Sequence, residues 1–168
     1  ASAAGAFDLA LAEPTASLDA PPLLGAECAY VTATSGTTGR PKLATHGHPQ
    51  IMITSLALGA RFAMTPADTS AHLTPLHLGG GLRTGLLLAL IHGASVRCLP
   101  VGGAEAFVAA VEAGEVTYTS ASFAIMREVL RRVRDRGGAG RGRLRFIRVA
   151  SGRLEPREFE QLEGAFRA

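Results

Sequence analysis

Short apolar runs alternate along the chain with longer segments whose apolar positions recur at helical spacing. The apolar runs predict strands at 7–11, 28–34, 43–45, 71–74, 95–99, 116–119 and 144–149. The periodic segments predict helices at 49–62, 82–92, 104–113, 123–134 and 156–166. Because strands alternate with helices through most of the chain, we expect an α/β fold with a largely parallel sheet flanked by helices.

The length and composition are typical of one ordered domain. The chain has 168 residues, which is enough to bury a core. Hydrophobic residues make up 47% and charged residues 18%, a balance that excludes a largely disordered chain. We interpret the Ala- and Pro-rich segment 1–27 as an N-terminal strand and linker, and residues 28–168 as a single domain.

No part of the sequence predicts export or membrane insertion. The N-terminal segment lacks the basic stretch of a signal peptide, and the apolar run 82–91 is too short for a membrane span. The two cysteines, Cys28 and Cys98, lie far apart in apolar runs, so we expect buried thiols rather than a disulfide or a zinc site. These features predict a cytoplasmic protein with no membrane partner.

The positive charge is carried almost entirely by arginine. The net charge is +3, and Lys42 is the only lysine in the chain. Arginines are concentrated in the segment 127–148, where they could contact nucleic-acid phosphates or form a basic helix end followed by a loop. The segment has few interleaved aromatic residues and no known nucleic-acid motif, so we favour the second interpretation and expect no nucleic-acid partner.

A glycine-rich loop at 34–42, TSGTTGRPK, has the chemistry of a phosphate-binding segment. Gly36 and Gly39 allow the backbone to approach a ligand closely, and successive N–H groups in such a turn can surround an anion. Lys42 adds a compact positive charge, but its spacing from Gly39 differs from that of a Walker A loop. The alternative is an ordinary turn between two strands. Four hydroxyls are available to donate to phosphate oxygens, those of Thr34, Ser35, Thr37 and Thr38.

The whole loop resembles the phosphate loop of the adenylate-forming (AMP-binding) ligases, whose pattern is close to YTSGTTGxPKG. That superfamily includes acyl-CoA synthetases, adenylation domains of nonribosomal peptide synthetases, and luciferases. Further segments resemble the family in the expected order, and their sequences are most similar to those of acyl- or oxalyl-CoA ligases. They are 29–32, 45–47, 74–80 (TPLHLGG), 90–100 (LIHGASVRCLP), 116–130 and 144–154 (LRFIRVASGRL).

The resemblance implies a reaction in two half-steps. ATP and a carboxylic acid give an acyl-adenylate and pyrophosphate, and a thiol of CoA or of a carrier's pantetheine then takes the acyl group. The loop would hold the nucleotide phosphates together with Mg²⁺, and the turn Ser151, Gly152 and Arg153 would approach adenine. The acid pocket implied by the resemblance includes His77, Leu78, Ser120 and Ala121.

The family's magnesium-binding glutamate, ribose-binding aspartate and catalytic lysine come from segments that would follow residue 168. The resemblance therefore identifies this chain as a partial adenylation domain, lacking the downstream half and the C-terminal domain. We expect no catalytic residue and no metal ligand within it, and no acyl-adenylate formation by the isolated chain. Its expected partners are ATP, the acid, and the remainder of a larger synthetase or a carrier protein.

Several positions depart from the family pattern. Leu43 replaces the glycine after the lysine, and the histidine of the family's PLFH segment falls on Leu78, one place after His77. Ser122 and its neighbours replace a segment that normally contains proline, and Arg153 replaces a small residue or proline. These departures motivate an alternative hypothesis, in which the chain is a degenerate, non-enzymatic structural or docking domain within a larger synthetase.

Overall fold

The computed structural model describes residues 28–34, 42–152 and 155–166. Strand β1 (Cys28–Ala33) pairs antiparallel with β2 (Leu43–Gly47) in a hairpin of its own. The glycine loop between these two strands is described only at its ends. The predicted strand at 7–11, most of the glycine loop, and Arg153 lie outside the described residues.

A four-stranded parallel sheet forms the centre of the fold. It consists of β3 (Thr69–His72), β4 (Ser95–Cys98), β5 (Tyr118–Ser122) and β6 (Phe146–Ala150), in the order β4-β3-β5-β6. All neighbouring pairs are parallel, so the carboxyl ends of the strands share one edge. The chain order reverses between β3 and β5, and this is where ligands bind in many open α/β sheets. The predicted α/β fold is confirmed.

Helices cover both faces of this sheet. Helix α1 (His48–Phe62) and the segment made of a π-helix (Gly81–Leu87) and α2 (Leu88–Ile91) pack on one face, where Leu88, Ala89 and Tyr118 are buried. Helices α3 (Ala104–Glu112), α4 (Phe123–Asp135) and α5 (Pro156–Ala165) cover the other. Their core is built from the apolar positions of the helices, including Phe107, Val108, Val111, Met126, Val129, Val133 and Leu162.

Three details differ from the sequence-based expectations. Strands β3 and β5 are displaced by about two residues from the predicted 71–74 and 116–119, within the usual error of strand ends. The predicted helix at 82–92 begins as a π-helix, a form that apolar spacing alone does not reveal. The expectation of buried thiols is wrong for Cys98, which is exposed because it lies on the edge strand β4, while Cys28 is half-buried.

Candidate functional site

The glycine loop is closed at its base by two hydrogen bonds between its ends. The Thr34 N–H donates to the Lys42 carbonyl oxygen at 2.9 Å, and the Lys42 N–H donates to Thr34 Oγ1 at 3.0 Å. Both residues are exposed. The hairpin β1–β2 therefore brings the two outermost members of the predicted phosphate-binding set together. The other members, Ser35, Gly36, Thr37, Thr38 and Gly39, lie outside the described residues.

The hairpin lies against the segment that begins the π-helix. The Tyr30 ring stacks on His46 at 4.5 Å between centroids, and Thr32 Oγ1 is 3.0 Å from His46 Nε2. A Cβ placed on Gly79 would lie 3.9 Å from the Thr32 methyl group and 4.0 Å from the Arg83 guanidinium. Thr32 of the hairpin and Arg83 of the π-helix therefore both lie next to Gly79.

A cavity of about 140 Å³ opens at the carboxyl ends of β5 and β6. Four sequence-predicted residues, Leu78, Ser120, Ala121 and Ser151, line it. His77 does not line it and is exposed, and Gly152 is exposed in the turn beyond β6. The remaining lining residues are Thr74, Pro75, Gly80, Ser122, Ile125, Arg148 and Ala150.

Ser120 is the centre of a hydrogen-bond chain beside this cavity. The Arg148 Nη1 donates to Ser120 Oγ at 3.1 Å, and Ser120 Oγ lies 2.9 Å from Thr84 Oγ1. The Thr84 hydroxyl donates to the Gly80 carbonyl oxygen at 2.6 Å, so its oxygen is left to accept from Ser120. Ser120 is only 5% exposed. This series of hydrogen bonds runs from Arg148 through the hydroxyls of Ser120 and Thr84 to the backbone, and it holds all three side chains in place.

Sequence reasoning missed Arg148 and Thr84. The signal for Arg148 was present, because an arginine interrupts the apolar strand FIRVA on the same side as Phe146. Thr84 gave no comparable signal, since its contact with Ser120 depends on how the π-helix packs on β5.

Two guanidinium groups determine the electrostatics here. Burial lowers the pKa of Arg148, and the positive charge of Arg83 lowers it further. The Arg83 Nε donates to the Gly79 carbonyl oxygen at 3.3 Å. Among the residues that the structure describes, neither guanidinium has an ion pair with a carboxylate.

Several other arginines of the basic segment 127–148 pair with carboxylates. Arg127 pairs with Glu158 at 2.8 Å, Arg131 with Glu128 at 2.5 Å, and Arg136 with Glu105. Much of the positive charge on this segment is therefore matched by acidic neighbours, which leaves fewer cations for phosphate contacts.

A larger cavity, of about 350 Å³, lies between β6 and α5. Its lining includes the core residues Leu144 and Leu162 but none of the sequence-predicted site residues. We take the smaller cavity as the candidate site, because four of the sequence-predicted residues and the Arg148 guanidinium line it.

The candidate site suits anionic ligands better than a metal ion. The lining of the smaller cavity contains hydroxyl groups and a guanidinium but no carboxylate. In the described part of the chain, no group of three or more His, Cys, Asp or Glu side chains is placed to hold a metal. Phosphate and carboxylate groups fit such a donor set.

Comparison with known proteins places this geometry in a family context. The family described as "AMP-binding enzyme" matches residues 4–168. The chain is 35% identical over 156 residues to the 2-hydroxy-7-methoxy-5-methyl-1-naphthoate–CoA ligase of Streptomyces carzinostaticus. That match covers 90% of this chain but 27% of the relative, so the chain spans about a quarter of the relative's length.

Solved structures share the fold. ATP-bound MatB from Rhodopseudomonas palustris superposes with a TM-score of 0.73 at 23% identity, covering 84% of this chain and 28% of that one. The O-succinylbenzoate coenzyme A synthetase MenE of Bacillus subtilis, in complex with ATP and a magnesium ion, gives a TM-score of 0.70 at 21% identity. This second match covers 80% of this chain and 27% of MenE.

Among the described helices, none is long and apolar enough to cross a membrane.

Proposed function

The chain belongs to the family of AMP-binding enzymes, and on that premise we propose that it supplies the phosphate loop and part of the acid pocket of an ATP-dependent acid–thiol ligase. The observation that carries the proposal is the closed base of the glycine loop, where Thr34 and Lys42 are joined by two hydrogen bonds. Because these hydrogen bonds already hold Thr34 and Lys42 in place, ordering these two residues adds little to the entropic cost of binding phosphate.

We propose that the chain acts in the first half-step, the formation of the acyl-adenylate. A carboxylate oxygen of the acid attacks the α-phosphorus of ATP, and pyrophosphate leaves. Lys42 and the loop would neutralise charge on the phosphates, and the cavity beside Ser120 would orient the acid. Their contribution is positioning and electrostatic stabilisation, which need no covalent step on the protein.

We infer the thiol acceptor and the metal ion from the family to which the chain belongs. CoA is the acceptor favoured by the name of the Streptomyces relative, and a carrier's pantetheine is the alternative. Magnesium would be bound by residues outside the described part together with the phosphates. We propose that the isolated chain does not form acyl-adenylate. The test is an ATP–pyrophosphate exchange assay with a panel of carboxylic acids, and exchange above background with any of them would contradict the proposal. A cytoplasmic location stays a prediction of the sequence.

Calorimetric titration with ATP and with pyrophosphate tests the proposal. The chain should bind ATP, and Lys42→Ala should abolish that binding by removing the only lysine from the loop. Arg61→Ala is a matched control, because Arg61 is an exposed cation in the last turn of α1. Loss of binding in both variants would indicate a general charge effect, and retention in Lys42→Ala would contradict a specific role for the loop.

The second candidate is a non-enzymatic structural or docking domain. Leu43 favours it, because this leucine replaces the family's glycine and is 75% exposed directly after the loop. On this hypothesis the folded chain would bind neither ATP nor pyrophosphate. The same titration therefore separates the two candidates.

A further inference from the structure

Among the residues that the structure describes, Arg148 has no acidic partner, whereas Arg127, Arg131 and Arg136 each pair with a glutamate. Its side chain is half-buried and lines the cavity at the carboxyl ends of β5 and β6. A guanidinium has five N–H donors, and the single hydrogen bond that Arg148 makes in the described part of the chain goes to Ser120 Oγ. A half-buried charge without a counter-ion is unfavourable unless a ligand supplies one.

Arg83 does not line the cavity, but its positive charge acts on Arg148. It is close enough to Arg148 to lower the pKa of that guanidinium, and it also acts on Tyr30 of the hairpin. Two like charges that act on each other disfavour both charged forms, and an anion bound beside Arg148 reduces this repulsion. The geometry is fixed in advance, because Ser120 and Thr84 hold Arg148 in its orientation.

From this geometry we propose that Arg148, assisted by Arg83, is a specificity-determining anion subsite for a second acidic group of the substrate acid. The inference rests on the proposed function and names the class of acid: a short molecule with a carboxylate at each end. One carboxylate would react, and the other would pair with Arg148. A guanidinium can bind a carboxylate through two parallel hydrogen bonds, which gives orientation as well as affinity.

The size and lining of the cavity favour a small acid over a nucleotide phosphate at this position. Its volume of about 140 Å³ is below the roughly 300–1,000 Å³ of pockets that enclose drug-sized ligands. Leu78, Ile125 and Ala150 line the same cavity as Arg148, and their apolar groups suit a short hydrocarbon segment. The lining also includes Ser120 and Ala121, which the sequence analysis expects to contact the acid.

The test compares succinate with butyrate, which have equal chain length but differ in having a carboxylate or a methyl group at one end. Ligand-observed NMR titrations of the chain with each acid should show tighter binding of succinate by about tenfold or more, as expected for a charge-assisted pair. Arg148→Met should remove this preference for succinate. Arg148→Lys should retain part of it, because lysine keeps the charge but loses the bidentate geometry.

Arg61→Met serves as the matched control and should leave the preference intact. Circular dichroism identifies any variant that fails to fold, and Arg83→Met provides a second variant, expected to weaken succinate binding to a smaller extent. Equal affinity for the two acids in the wild-type chain, or no binding of either, would overturn the assignment.

Titration of Arg148→Met with ATP shows whether Arg148 binds a carboxylate of the acid or a phosphate of ATP. It also separates the subsite proposal from the proposed function. Unchanged ATP affinity with lost succinate preference supports a subsite for the acid. Lost ATP affinity with an unchanged preference for succinate would assign Arg148 to a phosphate and overturn the inference. ATP binding that depends on Lys42 without any succinate preference would leave the proposed function standing while the subsite fails.

Discussion

Lys42 donates its backbone N–H to the Oγ1 of Thr34 at 3.0 Å, while the Thr34 N–H donates to the Lys42 carbonyl oxygen at 2.9 Å. The threonine hydroxyl therefore has a structural role as an acceptor at the base of the loop. Its own hydrogen stays available to donate to a phosphate oxygen. One side chain thus joins the β1–β2 hairpin to the proposed phosphate site.

This relationship predicts that Thr34→Val weakens ATP binding while Thr34→Ser does not. Valine keeps the shape of threonine but cannot accept from Lys42 or donate to phosphate. A net loss of one neutral hydrogen bond corresponds to a roughly two- to tenfold weaker affinity. The measurement is calorimetric titration with ATP. Equal affinities of the valine and serine variants would show that the hydroxyl has no role in binding.

A second prediction concerns Asp68, which is 1% exposed at the amino edge of the sheet. Burial opposes ionisation of its carboxyl, but hydrogen bonds from Arg145, Thr117 and the Thr65 N–H more than offset this effect and hold its pKa below the usual value. Arg145 Nη1 lies 2.5 Å from one carboxylate oxygen and 2.7 Å from the other. Its Nη2 also donates to the Phe62 carbonyl oxygen, so the pair ties β6 to the end of α1.

Because folding lowers the pKa of Asp68, its contribution to stability is present at neutral pH and is lost as the pH falls through the folded-state value. We expect Asp68→Asn to lower the free energy of unfolding by about 1–3 kcal/mol at pH 7, as for hydrogen bonds to a charged group. The difference from wild type should shrink below about pH 4. Urea unfolding at several pH values measures it. A difference that stays constant down to pH 3 would contradict the role of the ionised carboxylate.

The sequence predicted the larger features of this fold for clear physical reasons. Apolar periodicity located the described helices, because each buries apolar positions in the core, as α4 does with Met126 and Val129. The glycine loop was proposed from its local chemistry together with its resemblance to a family motif, and its role in phosphate binding stays a prediction. Strand ends were less accurate, since pairing with neighbours, as between Ser122 and Ala150, decides where a strand ends.

The candidate site was only partly predictable, because its most informative contacts join distant segments. Ser120 was expected in the acid pocket, but its partners Thr84 and Arg148 are brought to it by the π-helix and by β6. His77 was expected there and instead lies exposed outside the cavity lining. A shift of one position in the turn before the π-helix decides that Leu78, and not His77, faces the cavity.

A third prediction follows from the contact of Gly85 with His72. A Cβ on Gly85 would lie 2.2 Å from His72 Nδ1, and the ring is only 6% exposed, so it has little room to move. Gly85→Ala should therefore destabilise the fold by about 1–3 kcal/mol, the usual cost of overpacking. Thermal or urea unfolding measures this loss. In the double variant with His72→Ala the loss should be smaller than the sum of the two single effects. Additive effects would show that the two residues do not conflict.

The last prediction concerns the charge state of His72. Burial lowers its pKa, and neither ring nitrogen has a hydrogen-bond partner among the described residues. The unfolded chain takes up a proton at His72 near pH 6.5, while the folded chain does so only at a lower pH, so stability falls as the pH drops below about 6.5. The loss should approach about 1.4 kcal/mol per pH unit from this residue until the folded-state pKa is reached.

His72→Gln isolates this effect, because the other four histidines are present in both proteins. We expect the free energy of unfolding of the glutamine variant to depend less on pH between 7 and 5 than that of the wild type. Urea unfolding at intervals through this range gives both slopes. Parallel pH profiles would mean that the imidazole titrates alike in the folded and unfolded chains, which would contradict the prediction.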